Sequence, residues 1–256
     1  MNDMSEWEIK RLLREKNLYN LYYEVIYKNS TESTNDDAKK SDNKNNLLVV
    51  AERQTAGRGR YGRSFHSESD KGIYFTIKIN KINNSGYVNF IPLIAAAAVS
   101  QAVCLICGID LIIKWPNDLL CKKGGGYGKV CGILTESNAS YVIAGIGLNV
   151  NNDITDFPDA LKKTASSLKI ISGKTYSRAE IICEITDNFT RLLRVSREQL
   201  LGEYKKRLAL DTDISFEQDG AIYKGRAAGI TENGNLIAVL ENGEKTVIQS
   251  GEIEFI

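Results

Sequence analysis

With 256 residues, 43% of them hydrophobic, the chain can build one sizeable domain with a smaller appendage around an ordinary apolar core. Its formal net charge of +1 gives no global attraction to nucleic acid or membrane, so only local basic patches report on anionic ligands. No run of eighteen apolar residues occurs, and the start MNDMSEWEIKRLL is polar and mixed in charge, so neither a membrane span nor a secretory leader is expected and a cytoplasmic location follows.

Ser5 to Glu8 (SEWE) has the spelling of a capping box and opens a short amphipathic helix, after which LYYEVIYK alternates like a strand. This N-terminal extension, residues 1–20, is too short for a helix-turn-helix domain, so no DNA-reading module and no DNA partner are expected. NSTESTNDDAKK predicts a hydroxyl-rich loop running into a short helix with Asp36 and Asp37 in its first turn. After the polar spacer SDNKNN, the unbroken apolar run of LLVVAER predicts a buried strand. Residues 55 to 71 lack apolar periodicity and read as a long polar loop, and GIYFTIKI beyond it alternates as a strand.

FIPLIAAAAVSQAVCLICG predicts a buried helix closed by Gly108, and LIIKW a strand stopped by Pro116. KVCGILTE and SYVIAGIGLNV read as two further strands, and Ser177 to about Leu208 repeats apolar residues at helical spacing, as one or two helices. Beyond a boundary near Asp211 the texture changes to short strands separated by Asp219-Gly220, Asn233-Gly234 and Asn242-Gly243, each a hairpin signal because both positions tolerate positive φ. The five cysteines lie in apolar company and read as reduced core thiols; the Cys104-Cys107 pair has no second CxxC to complete a metal site. His66, the sole histidine, is expected at the surface, which leaves little basis for a histidine triad or a multi-histidine zinc site.

AGRGRYGRSF, Ala56 to Phe65, spells GxGxxG, but no helix follows to face a pyrophosphate, and three arginines crowd the approach that such glycines permit. An arginine run alone often does no more than solvate a loop. Interleaved with glycines it also makes an anion cradle, in which converging backbone N–H groups are joined by forked cationic donors. KWPNDLL places the polar pair Asn117-Asp118 at a strand end, fit for a nucleobase edge, a ribose or magnesium, although a plain turn has the same spelling. KKGGGYGKVCGIL sets Lys129 directly before a strand behind a glycine-rich lead-in; it is not a Walker loop, because valine follows the GK.

Five ordered motifs together resemble the biotin protein ligase family: STN at Ser33 to Asn35, QTAGRGRYGR from Gln54 to Arg63, KWPND from Lys114 to Asp118, GKVCGIL from Gly128 to Leu134, and GIGLNV from Gly145 to Val150. The resemblance implies an α+β fold, a class II synthetase-like mixed β-sheet flanked by helices with a small C-terminal SH3-like β-barrel. It divides the chain into an extension (1–20), a catalytic biotin/lipoate ligase-like domain (21–210) and the SH3-like domain (211–256). It further implies a two-step reaction: biotin and ATP give biotinyl-5′-AMP and pyrophosphate, and a lysine of a biotin carboxyl carrier protein domain then takes the biotinyl group.

By the same resemblance Ser33, Thr34, Asn35 and Gln54 hold the biotin ring, Arg58, Gly59, Arg60, Lys129 and Gly132 surround its carboxylate, and Arg60 and Lys129 are the catalytic cations. Arg60, Phe65, Asn117, Asp118, Lys129 and Asn149 form the nucleotide side. Magnesium accompanies ATP, with Asp118 as the candidate contact and no protein cluster dedicated to a metal. Three positions depart from the family pattern: Tyr61 stands where another arginine is common, Phe65 where a tryptophan is usual, and GGGYG lengthens the lead-in to Lys129. Pairing of edge strands into a homodimer, through Val130 to Glu136 or its neighbour, stays open. The alternatives are a lipoate or octanoate protein ligase of the same fold, a biotin-responsive repressor and a non-enzymatic nucleotide-binding module.

Overall fold

The computed structural model describes residues 4–18, 24–42, 46–80 and 85–256. Helix α1 (Glu6–Glu15) starts at Ser5, whose hydroxyl accepts the Glu8 N–H at 3.2 Å. Only half of the expected capping box forms, because the Glu8 carboxylate turns to Arg11 instead of reaching back. Ile9 and Leu13 are fully buried, so the extension is part of the core. Strand β1 (Glu24–Lys28) carries the described part of the expected alternating segment; Leu21 to Tyr23 of that segment, and residues 43–45 of the polar spacer, lie outside the described residues.

Helix α2 (Thr34–Lys40) and the wholly buried strand β2 (Leu47–Ala51) appear as expected. Strand β3 (Ile73–Asn80) is buried on both faces, although its sequence alternates. Ile73, Phe75, Ile77 and Ile79 enter the main core, while Thr76 on the other face meets Thr34 and Asn35 of α2. The polar face of the strand therefore becomes part of a built site.

Helix α3 (Ile91–Cys107) ends at Gly108, whose left-handed backbone (φ 66°) closes the helix. The segment Tyr87–Cys107 is long and apolar enough to cross a membrane by length and composition, but 67% of its apolar window is buried inside the protein, the situation of a core helix. Strands β4 (Ile112–Lys114), β5 (Asp118–Lys123), β6 (Gly126–Ser137) and β7 (Tyr141–Leu148) follow. The sequence reading missed β5 and set Lys129 ahead of its strand. Gly126, Tyr127 and Gly128 in fact pair with Lys123, Lys122 and Cys121, so the glycine-rich lead-in is a hairpin and Lys129 lies inside β6. A bulge leaves Val130 without an opposite number, since Leu119 faces Cys131 and Leu120 faces Lys129.

The short helix α4 (Leu168–Ser172) was also not anticipated, whereas α5 (Arg178–Leu192) and α6 (Arg197–Lys205) occupy the expected helical stretch. The first sheet runs β1-β2-β3-β7-β6-β5-β4, parallel between β1 and β2 and antiparallel elsewhere. Strand β6 is paired on both sides only at Cys131 and Gly132; toward Gly126 it pairs with β5 alone, and from Ile133 to Ser137 with β7 alone, so much of the Val130 to Glu136 stretch named for a homodimer has one side unpaired within the sheet.

Strands β8 (Asp213–Gln218), β9 (Ala221–Ile230), β10 (Leu236–Leu240), β11 (Lys245–Ile248) and β12 (Ile253–Phe255) form a second, antiparallel sheet in the order β11-β10-β9-β8-β12, consistent with the SH3-like barrel. Only the two-residue turn Asp219-Gly220 places both residues at positive φ (53° and 78°). The other two connections are longer, and there the glycine alone is left-handed, at 80° for Gly234 and 84° for Gly243. One continuous apolar cluster reaches from Met4 through α3 to Ile214 and Phe216, and the Trp115 indole donates to the Gly234 carbonyl at 2.9 Å, so the two sheets are welded at β4. All five cysteines are free; burial pushes the Cys107 and Cys183 thiols up to about 12. Cys104 is only half-buried, and its thiol donates to Asp110 at 3.3 Å, so the purely apolar reading fails at that one position.

Candidate active site

One cleft gathers the N-terminal end of α2, the loop between β2 and β3, the Asn117-Asp118 corner, the middle of β6 and β7, and Glu252 from the second sheet. Of the site residues expected from sequence it brings together Ser33, Thr34, Asn35, Gln54, Arg58, Gly59, Arg60, Phe65, Asn117, Asp118, Lys129 and Gly132. Asn149 alone lies elsewhere, in an adjoining pocket.

A neutral set of donors and acceptors forms one part of the cleft. The Gln54 Oε1 accepts from the Thr34 N–H (2.9 Å) and hydroxyl (3.1 Å). The Thr76 hydroxyl lies 2.9 Å from that of Thr34 and donates to Asn35 Oδ1 at 2.6 Å. Asn35 in turn donates to the Leu134 carbonyl (3.3 Å) and to Glu136 (2.9 Å). Ser33 is buried at the N-cap of α2, yet its hydroxyl makes no capping bond. Gly145 makes room for the set: a Cβ there would fall 2.1 Å from Asn35 Oδ1.

The second part is cationic. The GRGR loop folds back on itself through the Gly59 N–H to Arg63 carbonyl (2.7 Å) and Phe65 N–H to Gly57 carbonyl (2.8 Å) bonds. Its arginines face outward from this small closed turn. Arg58 pairs with Asp36, Arg63 with Glu252 at 2.6 Å, and Lys129 with Asp118 at 2.8 Å. Burial acts to raise the Asp36 carboxyl, but Arg58 and Lys39 beside it prevail and hold it below the usual carboxylate range. Among the described residues Arg60 has no carboxylate partner; it donates to Asn117 Oδ1 (3.2 Å) and to the Gly251 carbonyl (3.1 Å). Tyr61, in the left-handed region at φ 54°, supplies a ring 5.0 Å from the Arg60 guanidinium and a hydroxyl 3.1 Å from its Nη2. At the position where arginine is common, tyrosine thus positions the neighbouring arginine instead of adding charge.

Phe65 lies over the directly paired Gly132 and Gly147, where a Cβ would come within 3.2 Å and 2.5 Å of its ring. Its edge meets Tyr74, with the centroids 6.4 Å apart. Phe65 and Lys129 border both the main cleft and the adjoining pocket, which His66, Asn149, Phe157, Leu161 and Ala165 complete. Asn149 is buried there and donates to the Ser166 carbonyl at 3.0 Å, while the Lys129 N–H donates to the Thr164 carbonyl at 2.7 Å, so this segment is fastened alongside β6. His66, expected at the surface, is half-buried, with Nε2 3.0 Å from the Asp156 carbonyl. Asp36, Glu252 and the apolar trio Phe157, Leu161 and Ala165 escaped sequence reading, because no motif spacing ties them to the GRGR loop. No group of three or more His, Cys, Asp or Glu that would hold a metal ion occurs among the described residues.

The model of the biotin/lipoate A/B protein ligase family matches residues 22–153, and that of the biotin protein ligase C-terminal domain matches residues 213–256. The bifunctional ligase/repressor BirA of Bacillus spizizenii is 34% identical over 98% of this chain and 79% of its own length. The biotin–[acetyl-CoA-carboxylase] ligase of Mycobacterium tuberculosis is 29% identical over 80% of this chain and 76% of its own. Among solved structures, the biotin protein ligase of Aquifex aeolicus in complex with biotin and ATP superposes with a TM-score of 0.79 at 28% identity, covering 92% of this chain and 99% of that one. The chain belongs to the biotin/lipoate A/B protein ligase family, and within it to the biotin protein ligases.

Proposed function

We propose that the protein activates biotin with ATP as biotinyl-5′-AMP and transfers the biotinyl group to a lysine of a biotin carboxyl carrier domain. The observation that carries this reading is the joining, in one cleft, of a neutral hydrogen-bonding set to a cationic corner whose Lys129 also borders a second, largely apolar pocket. Ser33, Thr34, Asn35 and Gln54 suit a neutral ureido ring, which offers both N–H donors and a carbonyl acceptor. Arg58, Gly59, Arg60, Lys129 and Gly132 suit the carboxylate and the α-phosphate, and Phe65, Asn117, Asp118 and Asn149 the nucleotide.

In the first step a carboxylate oxygen bonds to the α-phosphorus and the bond to the β-phosphate oxygen breaks, so two anions must approach one another. Cations aimed at the transferring oxygens are the natural remedy. The carboxylates of Asp36 and Asp118 already hold Arg58 and Lys129. At these two cations an incoming anion therefore exchanges one carboxylate partner for another. Arg60, whose partners among the described residues are neutral, is available to the phosphate without such an exchange. Asp118 would be the residue to contact magnesium brought in with ATP, which would supply charge neutralisation at the departing pyrophosphate. The division at residue 211, a cytoplasmic location and a homodimer belong to the same proposal.

Purified protein supplied with biotin, MgATP and a carrier domain is expected to produce biotinyl-lysine, read by mass spectrometry. An unmodified carrier together with no biotin-dependent pyrophosphate release contradicts the proposal. Modification with lipoate in place of biotin favours the lipoate-ligase alternative.

A further inference from the structure

Lys123 is the last paired residue of β5, opposite Gly126, in the hairpin that leads to Lys129. Its half-buried side chain runs back over Gly128, where a Cβ would fall 3.1 Å from Lys123 Cδ and 2.8 Å from Ser166 Cβ. The ammonium then donates to the Lys162 and Ala165 carbonyls, each at 2.7 Å.

Both carbonyls belong to a tight turn. The Leu161 N–H donates to the Pro158 carbonyl (2.8 Å), and the Thr164 and Ala165 N–H groups both donate to the Leu161 carbonyl (3.0 and 2.7 Å). Continued as a helix, the turn would give the Lys162 and Ala165 carbonyls the N–H groups of Ser166 and Lys169. Those donate instead to the Lys129 and Val150 carbonyls, both at 2.8 Å. Carbonyls stranded at the end of a turn are capped well by an ammonium, and Lys123 supplies it. The same turn carries Leu161, Thr164 and Ala165 into the ≈ 180 Å³ pocket that Phe65, Lys129 and Asn149 also line. Lys123 itself lines neither that pocket nor the main cleft, so any influence it has on a ligand passes through the turn.

We infer that Lys123 is a positioning residue for the nucleotide: by capping the turn it fixes the wall of Leu161 and Ala165 opposite Phe65, at the width a nucleobase requires. The inference rests on the reading above that Phe65 and Asn149 belong to the nucleotide side. The turn is joined to β6 by backbone at Lys129, whose N–H donates to the Thr164 carbonyl at 2.7 Å and whose carbonyl takes the Ser166 N–H. That bridge keeps the segment on the sheet but leaves the turn free to swing about it. A second attachment, at the Lys162 carbonyl, removes that freedom.

Lys123→Met keeps an unbranched apolar stem and removes the donors. The KM for MgATP in biotin-dependent pyrophosphate release should rise about tenfold, with kcat within about twofold of the unaltered protein, as expected when charge-assisted bonds that shape a binding wall are lost. Biotin affinity by calorimetry should not change, because Thr34, Asn35 and Gln54 are held by one another and by Thr76. Lys122→Met, which removes the same charge from the exposed neighbour, should alter none of these values. Amide hydrogen exchange reads the turn without turnover: in Lys123→Met the Thr164 and Ala165 N–H groups should exchange about tenfold faster, and those between β6 and β7 at unchanged rates. A KM for MgATP within about twofold of the unaltered value, an equal rise in Lys122→Met, or a parallel loss of biotin affinity overturns the inference. If the unaltered protein releases no pyrophosphate with biotin, the reading of the function fails instead, and unchanged exchange at Thr164 and Ala165 would still refute the cap.

Discussion

The neutral and cationic parts of the cleft are built in opposite ways. Thr34, Asn35, Gln54 and Thr76 are buried and hydrogen-bonded to one another, so their geometry exists before any ligand arrives. Arg58, Arg63 and Lys129 are at least 40% exposed and held by single carboxylates, and such pairs contribute little to stability and exchange readily. A third arrangement sharpens the contrast: Arg178 and Glu52, behind the loop, pair at 2.7 Å with side chains only 5% and 9% exposed. Burial turns the same chemistry from a replaceable contact into a fixture.

That contrast can be broken at four points. Arg178→Ala takes the guanidinium away from the buried Glu52 carboxylate, leaving the Tyr27 hydroxyl to donate to it, and should cost about 3–5 kcal/mol of stability, read by denaturant unfolding; a loss below about 1 kcal/mol would place this pair with the exchangeable ones. Lys129→Ala should slow adenylate formation by about 10²–10³-fold, the usual effect of deleting one charge-stabilising group, while the folded state is little affected. Gly145→Ala drives a methyl group into Asn35 and should weaken biotin binding about 10–100-fold by calorimetry, a loss of about 1–3 kcal/mol from disordered hydrogen bonds. An unchanged affinity would mean that the neutral set is not preformed.

The smallest effect is expected at Asp36. Its carboxyl is held below the usual carboxylate range in the folded protein, so it contributes stability above the unfolded value near 4, and that contribution is lost as pH falls through the lower folded value. Asp36→Asn should remove this acid-side slope and change stability near neutrality by no more than about 1 kcal/mol, because the pair is partly exposed. Thermal unfolding from pH 7 to pH 2 reads both, and an unaltered acid slope would show that the Asp36 carboxyl is not held down in the folded protein.

Most of the main cleft was legible because its residues sit in short motifs at element ends, where the turn chemistry and the ligand chemistry use the same hydroxyl, amide and glycine groups. The partners of those motifs were not legible. Asp36 and Arg58 are joined only by the folding of the loop onto α2, and Glu252 reaches Arg63 from the other sheet. Phe157, Leu161 and Ala165 lie in a segment without strand periodicity, so the pocket beside Lys129 left no pattern to read. Strand β5 was hidden by the Pro116 turn just before it and by a sequence, DLLCKK, without strand alternation, and with it the hairpin that places Lys129. The asparagines of the second sheet misled for a different reason: Asn-Gly is permissive of positive φ, and loop length decides whether that freedom is used.

Biotin-dependent pyrophosphate release from MgATP, measured with lipoate in parallel, tests the central claim most directly, because it requires the neutral set and the cationic corner to act on one molecule. The account predicts release with biotin and none above background with lipoate. Equal release with both, or none with biotin, would contradict it.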